Sequence, residues 1–282
     1  MTMPATEPIG LIAGWGRLPV IIAEKAKSLG IPVVCVGIRG MADRAALEPH
    51  CRRFYWTRLA ALNRPVRCFK REGVVRWAMA GKVFKHKIFS AQQLFGAISL
   101  MPDLRMVRFY FRKRANNSDD TFTLALIDEY ARDGLICSSA LDLCPELLVR
   151  PGVLTRRSPT AHEEADIEYG WHLAKEMGRL DVGQSVAVRE RAVLAVEAVE
   201  GTDACIRRAG ELRKGTGFVV VKVAKPQQDM RFDVPTVGPS TIESMRAAGG
   251  KVLAIEAEKT ILIDEAETIR LADQAGITIV AR

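Results

Sequence analysis

The chain has 282 residues, which is long for a single hydrophobic core and favours two domains of ordinary size. With 48% hydrophobic and 26% charged residues, the composition is that of a globular protein and excludes low-complexity and fibrous classes. No apolar run approaches the roughly 20 residues of a membrane span, and no secretory signal is visible. The six cysteines lack the spacing of zinc ligands. We therefore expect a soluble cytoplasmic protein with reduced thiols.

The net charge of +8 is spread unevenly. Residues 51–114 contain 16 lysines and arginines but only two acidic residues, and they are rich in aromatic side chains. Such a segment suits nucleic acid, an anionic membrane surface or a phosphorylated lipid, since each offers anionic groups beside apolar or aromatic ones. The alternative is a solvated basic face whose aromatic side chains lie in the core.

The chain begins with the pattern of a βα unit. Ile9–Ala13 is a short apolar strand, Gly14-Trp15-Gly16 is a tight turn, and a helix follows as far as Leu29. Pro19 suits the first turn of that helix, and Ile31–Ile38 is a second, fully apolar strand. Strand, helix and strand joined by short loops predict a parallel sheet with a right-handed crossover.

The first glycine turn is a candidate phosphate site, because a helix N-terminus offers free amides and the positive end of a dipole. The dinucleotide fingerprint is incomplete. Pro19 stands where its third glycine would be, and Arg39 follows the second strand in place of an acidic residue. A nicotinamide-dependent dehydrogenase is therefore disfavoured. The sequence also lacks the motif G-x-x-x-x-G-K-[ST], so a Walker-type kinase or ATPase is unsupported. A purely structural turn remains an alternative.

In the middle of the chain, Gln92–Met101 and Thr121–Asp133 are predicted helices, and Leu135–Ser139 is a predicted strand. Adjacent Asp119 and Asp120 precede the second helix. Two neighbouring carboxylates suit a hard cation such as Mg²⁺, but either residue could equally be the N-cap of that helix.

Breakers and charges near residues 150–160 predict a domain boundary. We assign residues 1–150 to an N-terminal Rossmann-like α/β domain with a parallel sheet, and residues 151–282 to a distinct C-terminal α/β domain. A start resembling a capping box at Asp264 predicts the last helix. The other predicted elements of the second domain are helices at Ile167–Leu180, Asp203–Leu212 and Thr241–Ala248 and strands at Ser185–Val188, Val193–Glu197, Phe218–Ala224, Val252–Ala257, Thr260–Ile263 and Ile277–Val280.

The most informative stretch is Lys225–Gly238, which follows a buried strand, where α/β proteins place their sites. In it Asp229, Arg231 and Asp233 alternate with apolar residues. In an extended chain these three would share one face, so that two carboxylates could hold a metal or a water while the guanidinium meets a phosphate. The alternative is a surface strand with an Asp–Arg pair.

A further polar stretch is Glu200–Gly210. Gly201 bends the chain there, and Thr202 or Asp203 is predicted to cap a helix. The first turn of that helix could meet a phosphate or a hydroxyl, although a plain cap explains the residues equally well.

Together four segments resemble the UDP-2,3-diacylglucosamine pyrophosphatases of lipid A synthesis, the type unrelated to calcineurin-like phosphoesterases. The segments are Gly10–Pro19, Asp119-Asp120, Glu200–Gly210 and Asp229–Gly238, in the same order as in that family. The chain departs from the family at Trp15, where a glycine is expected. The resemblance implies Mg²⁺-dependent hydrolysis of the diphosphate of an acylated UDP-sugar to UMP and 2,3-diacylglucosamine 1-phosphate. It also implies two domains and a homodimer.

On this resemblance we assign catalysis to Asp229, Arg231 and Asp233, with both aspartates as ligands of the metal. We expect the basic, aromatic segment to contact acyl chains and the inner face of the membrane, and we expect no nucleic-acid partner. Three alternatives remain open: another Rossmann-like nucleotide-dependent enzyme, a nucleic-acid-binding protein and a non-catalytic lipid-binding module. The predicted substrate-binding residues are Gly14, Trp15, Gly16, Asp119, Asp120, Thr202, Asp203, Lys225, Gln228, Pro235 and Gly238.

Overall fold

The structure is a computed structural model that describes residues 7–83, 101–112, 119–212 and 217–282, without the side chains of residues 119–121. The chain divides into two compact units, Met1–Pro145 and Glu146–Arg282. Each unit contains its own sheet, so the predicted fold class of an N-terminal Rossmann-like domain and a distinct C-terminal α/β domain is confirmed.

The N-terminal unit contains a five-stranded parallel sheet with the strand order β3-β2-β1-β4-β5. Strand β1 lies in the centre and pairs with β2 on one side and β4 on the other. Every residue of β1 and β2 is buried, as expected for parallel strands covered on both faces. The strands are β1 (Ile9–Ala13), β2 (Val33–Ile38), β3 (Arg53–Thr57), β4 (Arg76–Ala80) and β5 (Ile136–Cys137).

Large aromatic side chains fill the core of this unit. Phe69, Trp77 and Tyr130 are almost completely buried, and the rings of Trp77 and Tyr130 lie 5.0 Å apart. Aromatic pairs at such distances add stability beyond that of area burial. The described helices of the unit are α1 (Leu18–Ser28), α2 (Arg44–Leu47), α3 (Asn63–Arg71), α4 (Leu104–Arg112) and α5 (Asp119–Ala131).

The C-terminal unit contains a six-stranded mixed sheet with the order β6-β13-β11-β9-β7-β8. Its central strands β9, β11 and β13 are parallel, whereas β7 runs antiparallel to both β9 and β8. Strands β10 and β12 form a separate parallel pair. The strands are β6 (Gly152–Val153), β7 (Ser185–Arg189), β8 (Ala192–Val196), β9 (Val219–Lys222), β10 (Thr236–Val237), β11 (Val252–Ile255), β12 (Ile261–Leu262) and β13 (Thr278–Ala281).

A capping box starts the longest helix of this unit. The Thr160 hydroxyl accepts from the amide of Glu163, whose carboxylate accepts from the amide of Thr160. The capping box predicted at Asp264 is wrong, because Asp264 has a left-handed φ of 47° and makes no side-chain capping bond. The described helices of the unit are α6 (Ala161–Arg179), α7 (Thr202–Leu212), α8 (Pro239–Ala248) and α9 (Glu265–Ala275).

The predicted secondary-structure elements agree best with the observed ones where a strand is fully buried. Strand β1 has the predicted bounds, and the predicted strand at Ile31–Ile38 starts two residues later, as β2. The predicted helix Gln92–Met101 lies almost entirely outside the described residues. Within the described parts of the chain, none of the helices has the length and apolarity needed to cross a bilayer.

Candidate functional site

Polar side chains gather at one edge of the C-terminal sheet. Strands β8, β9 and β11 end at this edge, and the antiparallel strand β7 begins there, with Ser185 opposite Lys222. The stretch predicted to carry the chemistry follows β9 directly, at the carboxyl end of the parallel strands, where open α/β sheets bind ligands.

The chain leaving β9 is fixed by Glu256, which directly follows β11. Its carboxylate accepts from the amide of Ala224 at 2.8 Å, from the Lys175 ammonium at 2.6 Å and from the Lys259 ammonium at 2.9 Å. Lys175 also donates to the carbonyl of Ala224 at 2.9 Å. Burial opposes the charge of Glu256, yet these donors hold its pKa below the ordinary glutamate value. The start of the site loop is therefore held by charge-assisted bonds from α6 and β11.

Helix α6 also approaches the loop at Lys225. A side chain at Gly178 would come within 3.2 Å of the Lys225 Cα atom, so this approach favours a glycine. The Lys225 ammonium lies 2.6 Å from an Asp181 carboxylate oxygen and 3.8 Å from Asp233 Oδ2. Only 13% of the Lys225 side chain is exposed. Its ammonium is therefore a largely enclosed cation beside Asp233, one of the two predicted catalytic aspartates.

The predicted extended conformation of the catalytic stretch is wrong. The Asp229 carbonyl accepts from the amides of Phe232 and Asp233, at 3.3 and 3.1 Å, and the chain forms a turn. The Asp229 carboxylate accepts from the amide of Arg231 at 3.0 Å, a side-chain turn that competes with extended pairing. The segment is therefore a compact loop and not the extended strand in which Asp229, Arg231 and Asp233 would share one face.

The Asp–Arg pair named in the alternative interpretation forms, although in a loop and not in a strand. Arg231 Nε lies 3.0 Å from Asp229 Oδ1, and Arg231 Nη2 lies 2.7 Å from Asp229 Oδ2. This fork-to-fork contact is the strong geometry for a guanidinium and a carboxylate. The side-chain bonds from Arg231, followed by its backbone amide and its charge, lower the pKa of Asp229. Asp229 is therefore an anion at neutral pH.

Gln228 ties the two ends of the loop together. Its side-chain oxygen accepts from the amide of Lys225 at 2.7 Å, and its side-chain amide donates to the carbonyl of Asp233. These contacts bring the Asp233 and Lys225 backbones together, although Asp233 keeps 36% of its side chain exposed. Gln228 thus holds the loop closed through both the oxygen and the nitrogen of its side-chain amide.

Thr202 lies in a buried polar cluster that was not predicted from the sequence. Its hydroxyl donates to Glu197 at 2.9 Å and accepts from the Lys222 ammonium at 2.7 Å, and it lies 3.4 Å from the Ser185 hydroxyl. Glu197 and Lys222 are only 8% and 6% exposed. The second carboxylate oxygen of Glu197 is buried without a hydrogen-bond partner. The available signal in the sequence was Lys222, which interrupts the apolar run Phe218–Ala224.

The remaining predicted residues of this unit surround the site loop or the start of a helix. Asp203 lies in the first turn of α7, beside Thr202. Pro235 is buried, and its carbonyl accepts from the amide of Ile261 at 2.8 Å. Gly238 is buried at the start of α8, where an added Cβ would lie 3.3 Å from Ile263 Cβ. These contacts give Pro235 and Gly238 a structural role.

In the N-terminal unit, the Gly14-Trp15-Gly16 turn is partly closed by backbone bonds. The amide of Gly14 donates to Ala80, and Trp15 exchanges two bonds with Lys82, at 2.9 and 2.8 Å. The amides of Gly14 and Trp15 are therefore already used, whereas the Trp15 side chain is 49% exposed. The predicted phosphate site is thus confined to the part of the turn after Trp15.

Asp119 and Asp120 are the first two residues of α5, so their backbones lie inside the helix rather than before it. Their side chains lie outside the described part of the structure, and their predicted role in binding stays a prediction.

Comparison with known proteins identifies the family. Residues 8–147 match the LpxI N-terminal domain, and residues 150–280 match the LpxI C-terminal domain. The chain belongs to the LpxI family. It is 32% identical to the UDP-2,3-diacylglucosamine pyrophosphatase LpxI of Caulobacter vibrioides, over 96% of each chain. The family resemblance and the prediction of a pyrophosphatase-type enzyme are confirmed.

In this LpxI-family chain, the described residues contain no group of three or more histidines, cysteines and acidic residues that could hold a metal. Mg²⁺ does not need such a cage, since it keeps several waters and commonly binds one or two carboxylates together with substrate phosphates. Asp229 and Asp233 supply two hard oxygen donors in one loop, and Asp229 is ionised. The chemistry of these donors fits Mg²⁺ better than a softer metal.

The basic segment of this LpxI-family chain is only partly a surface. Phe69, Trp77 and Phe109 are buried, so several of its aromatic side chains belong to the core. Tyr110 and Phe111 on α4 are 64% and 65% exposed. The alternative of a structural role thus accounts for the first group and leaves the exposed Tyr110 and Phe111 unexplained.

Proposed function

We propose that this chain hydrolyses the diphosphate of UDP-2,3-diacylglucosamine to UMP and 2,3-diacylglucosamine 1-phosphate in lipid A biosynthesis. The observation that carries the proposal is the 32% identity to the Caulobacter vibrioides enzyme, which extends over 96% of both chains. Both LpxI domains match in order, so the similarity is not limited to one shared module.

The Asp229–Asp233 loop supports the proposal chemically. Hydrolysis requires water to attack one phosphorus while the bond from that phosphorus to the bridging oxygen breaks, and negative charge on the phosphates opposes the attack. An ionised Asp229 suits the orientation of a nucleophilic water or the binding of a cation. Arg231 and the half-buried Lys225 are the cations of this loop that would offset phosphate charge.

Mg²⁺ is part of the proposal, with Asp229 and Asp233 as its ligands. When bound, the ion would neutralise phosphate charge and lower the pKa of a bound water. The Asp229 carboxylate that would hold the ion also contacts Arg231 at two points, so the ion and the guanidinium would lie side by side. The two cations would then share the neutralisation of phosphate charge.

The substrate also suggests how the protein works in the cell. A diacylated sugar nucleotide is amphipathic, so we propose peripheral contact with the inner face of the membrane by a cytoplasmic protein. We also propose a homodimer and no nucleic-acid partner. The substrate-binding roles of Gly14, Trp15, Gly16, Asp203, Pro235 and Gly238 remain part of this proposal.

The test is direct hydrolysis. Purified protein is incubated with UDP-2,3-diacylglucosamine in detergent, with Mg²⁺ or with a chelator, and UMP is measured by chromatography. We expect UMP with Mg²⁺ and its loss in chelator, restored when Mg²⁺ is added back. Absence of UMP under all conditions would refute the enzyme, and a non-catalytic lipid-binding module would then be the better explanation. Equal release in chelator would refute only the metal.

A further inference from the structure

Helix α4 presents its apolar side chains to solvent. Leu104, Val107 and Phe111 are 77%, 37% and 65% exposed, and they lie three and four residues apart along the helix. Residues at these spacings share one helix face. Met101, just before the helix, is 59% exposed. The described surface of the N-terminal unit therefore carries an apolar stripe, defined as Met101, Leu104, Val107 and Phe111.

The opposite face of α4 contains the anchoring contacts, including a charged one. Arg105 donates to Glu129 Oε1 at 3.0 Å and lies 2.5 Å from Asp133 Oδ2, and its guanidinium packs over the ring of Tyr130. Phe109 is 5% exposed on the same side. A surface helix ordinarily buries its apolar residues and exposes its arginines. In α4 one arginine is fixed inward while leucine, valine and phenylalanine face outward.

The N-terminus of α4 is fixed as well. The Asp103 carboxylate accepts from the amide of Met106 at 2.8 Å and from the amide of Asn63, at the start of α3, at 2.7 Å. The first bond is an N-cap, and the second ties α4 to α3. With Asp103 and Arg105 holding the helix, rotation that would bury the stripe would break both sets of contacts. The outward orientation is therefore built into the unit.

The charges beside the stripe determine what it can contact. Arg108 is exposed on α4, and Arg64 and Arg67 are exposed on the adjoining α3. Arg112 keeps 64% of its side chain exposed while one guanidinium nitrogen lies 3.9 Å from Glu129. Residues 51–114 contain 16 basic and two acidic residues, and Asp103, one of those two, is used as the cap. An apolar stripe flanked by arginines is complementary to anionic headgroups above acyl chains. It is less suited to the cation-rich face of a second copy of this chain.

We propose that α4 docks this protein onto an anionic lipid surface, with the apolar stripe in the acyl boundary and Arg108 and Arg112 at the headgroups. The inference rests on the proposed function in that an acylated substrate gives the enzyme a reason to reach a bilayer. Lipid binding without substrate is nevertheless a separate measurement, so each idea can fail alone.

The experiment is sedimentation of the full chain with vesicles of phosphatidylcholine alone or with added phosphatidylglycerol, at low and high salt. We expect binding to the anionic vesicles, weakened by salt. The double variant Leu104→Ser/Phe111→Ser should lose about tenfold or more in partitioning, because two exposed apolar side chains are removed. The matched control is Leu180→Ser/Leu212→Ser, which removes two side chains 62% and 64% exposed in the other unit and should bind as the parent does.

Three results would overturn the docking surface. The first is no binding of the parent protein to anionic vesicles, and the second is equal binding by the Leu104→Ser/Phe111→Ser variant. In the third, light scattering shows that this variant converts a dimer to a monomer while vesicle binding is unchanged, which would make the stripe a contact between copies. A urea unfolding midpoint equal to that of the parent shows that the variant is folded, and UMP release by the parent protein in detergent is measured separately, so loss of docking and loss of the enzyme can be told apart.

Discussion

At the scale of single residues, the contact between Asp229 and Arg231 sets the charge of the candidate site. A guanidinium held at two points stabilises the ionised carboxylate and keeps its pKa below the ordinary aspartate value. A carboxylate that stays ionised is useful as a cation ligand, whereas a strong general base would need a raised pKa. Asp229 is therefore better suited to binding a cation or orienting water than to removing a proton.

Replacing the guanidinium tests this dependence. In Arg231→Gln the pKa of Asp229 should rise towards the ordinary value of about 3.9, because its main stabilising partner is gone. Carboxyl-carbon NMR titration of the folded protein measures the midpoint. The matched control is Arg270→Gln, which removes the same kind of contact from Glu267 on exposed α9 and should leave Asp229 unchanged.

The sign of the pH effect follows from the direction of the shift. Because the folded-state pKa of Asp229 is lowered, the pair stabilises the fold fully above the unfolded pKa of about 3.9. This stabilisation is lost as the pH falls through the lowered folded value. An Asp229 midpoint that does not move in Arg231→Gln would show that another group sets its charge.

At the scale of secondary-structure elements, Glu256 joins three of them. It follows β11, accepts from the backbone at the end of β9 and binds Lys175 of α6. These contacts of Glu256 lie directly before the site loop, so the stability of the contacts and the position of the loop are linked. An isolated surface ion pair would contribute little, but this carboxylate is 8% exposed and has several donors.

Glu256→Gln should therefore lower the free energy of unfolding by about 2–3 kcal/mol, because it removes the charge from a set of charge-assisted bonds. The lowered pKa of Glu256 means that its contribution is fully present above the unfolded value of about 4.3 and is lost as the pH falls through the lower folded value. Urea denaturation from neutral to acidic pH measures both effects, and the variant should show a flatter acid limb.

The control for this prediction is Glu176→Gln. This variant breaks the exposed contact between Glu176 and Arg179, both on α6. It should lower the free energy of unfolding by no more than about 0.5 kcal/mol. If Glu256→Gln unfolds at the same urea concentration as this control at neutral pH, Glu256 is not a structural junction.

Sequence patterns predicted the buried strands well. The strand β1 and most of β2 consist of uninterrupted apolar residues, a pattern that depends only on local composition. Strand β3 and helix α3 were not predicted, because the charged and aromatic residues of this segment obscure the periodicity. Tyr55 of β3, for example, is half-buried and donates to Glu72 beyond α3. Such a contact becomes visible only when distant parts of the chain are placed together.

The site was predicted by residue type but not by shape. Alternation of charged and apolar residues around Arg231 indicated a strand, yet the Asp229 side chain captures the Arg231 amide and turns the chain. Gln228 then closes the loop by bonding at both ends. The roles of Glu197 and Lys222 depend on the pairing of separate strands, which no local pattern specifies.

At the scale of the whole molecule, each unit matches its own LpxI domain, and each contains residues that the sequence predicts to bind the substrate. The C-terminal unit supplies the Asp229–Asp233 loop, with its anions and cations in contact. The N-terminal unit supplies the Gly14–Gly16 turn and the outward-facing α4. Under the proposed function, catalysis would lie in the C-terminal unit and the N-terminal unit would contact the membrane.

The central claim is that the Asp229–Asp233 loop carries out hydrolysis of the acylated UDP-sugar. The most direct test is the rate of UMP release by Asp229→Asn and Asp233→Asn, compared with Glu267→Gln, a neutralisation of an exposed carboxylate in the same unit. If the claim holds, at least one aspartate variant loses about a hundredfold or more in rate while remaining folded, and Glu267→Gln keeps the parent rate. Parent-like rates in both aspartate variants would contradict it and place the chemistry elsewhere in the chain.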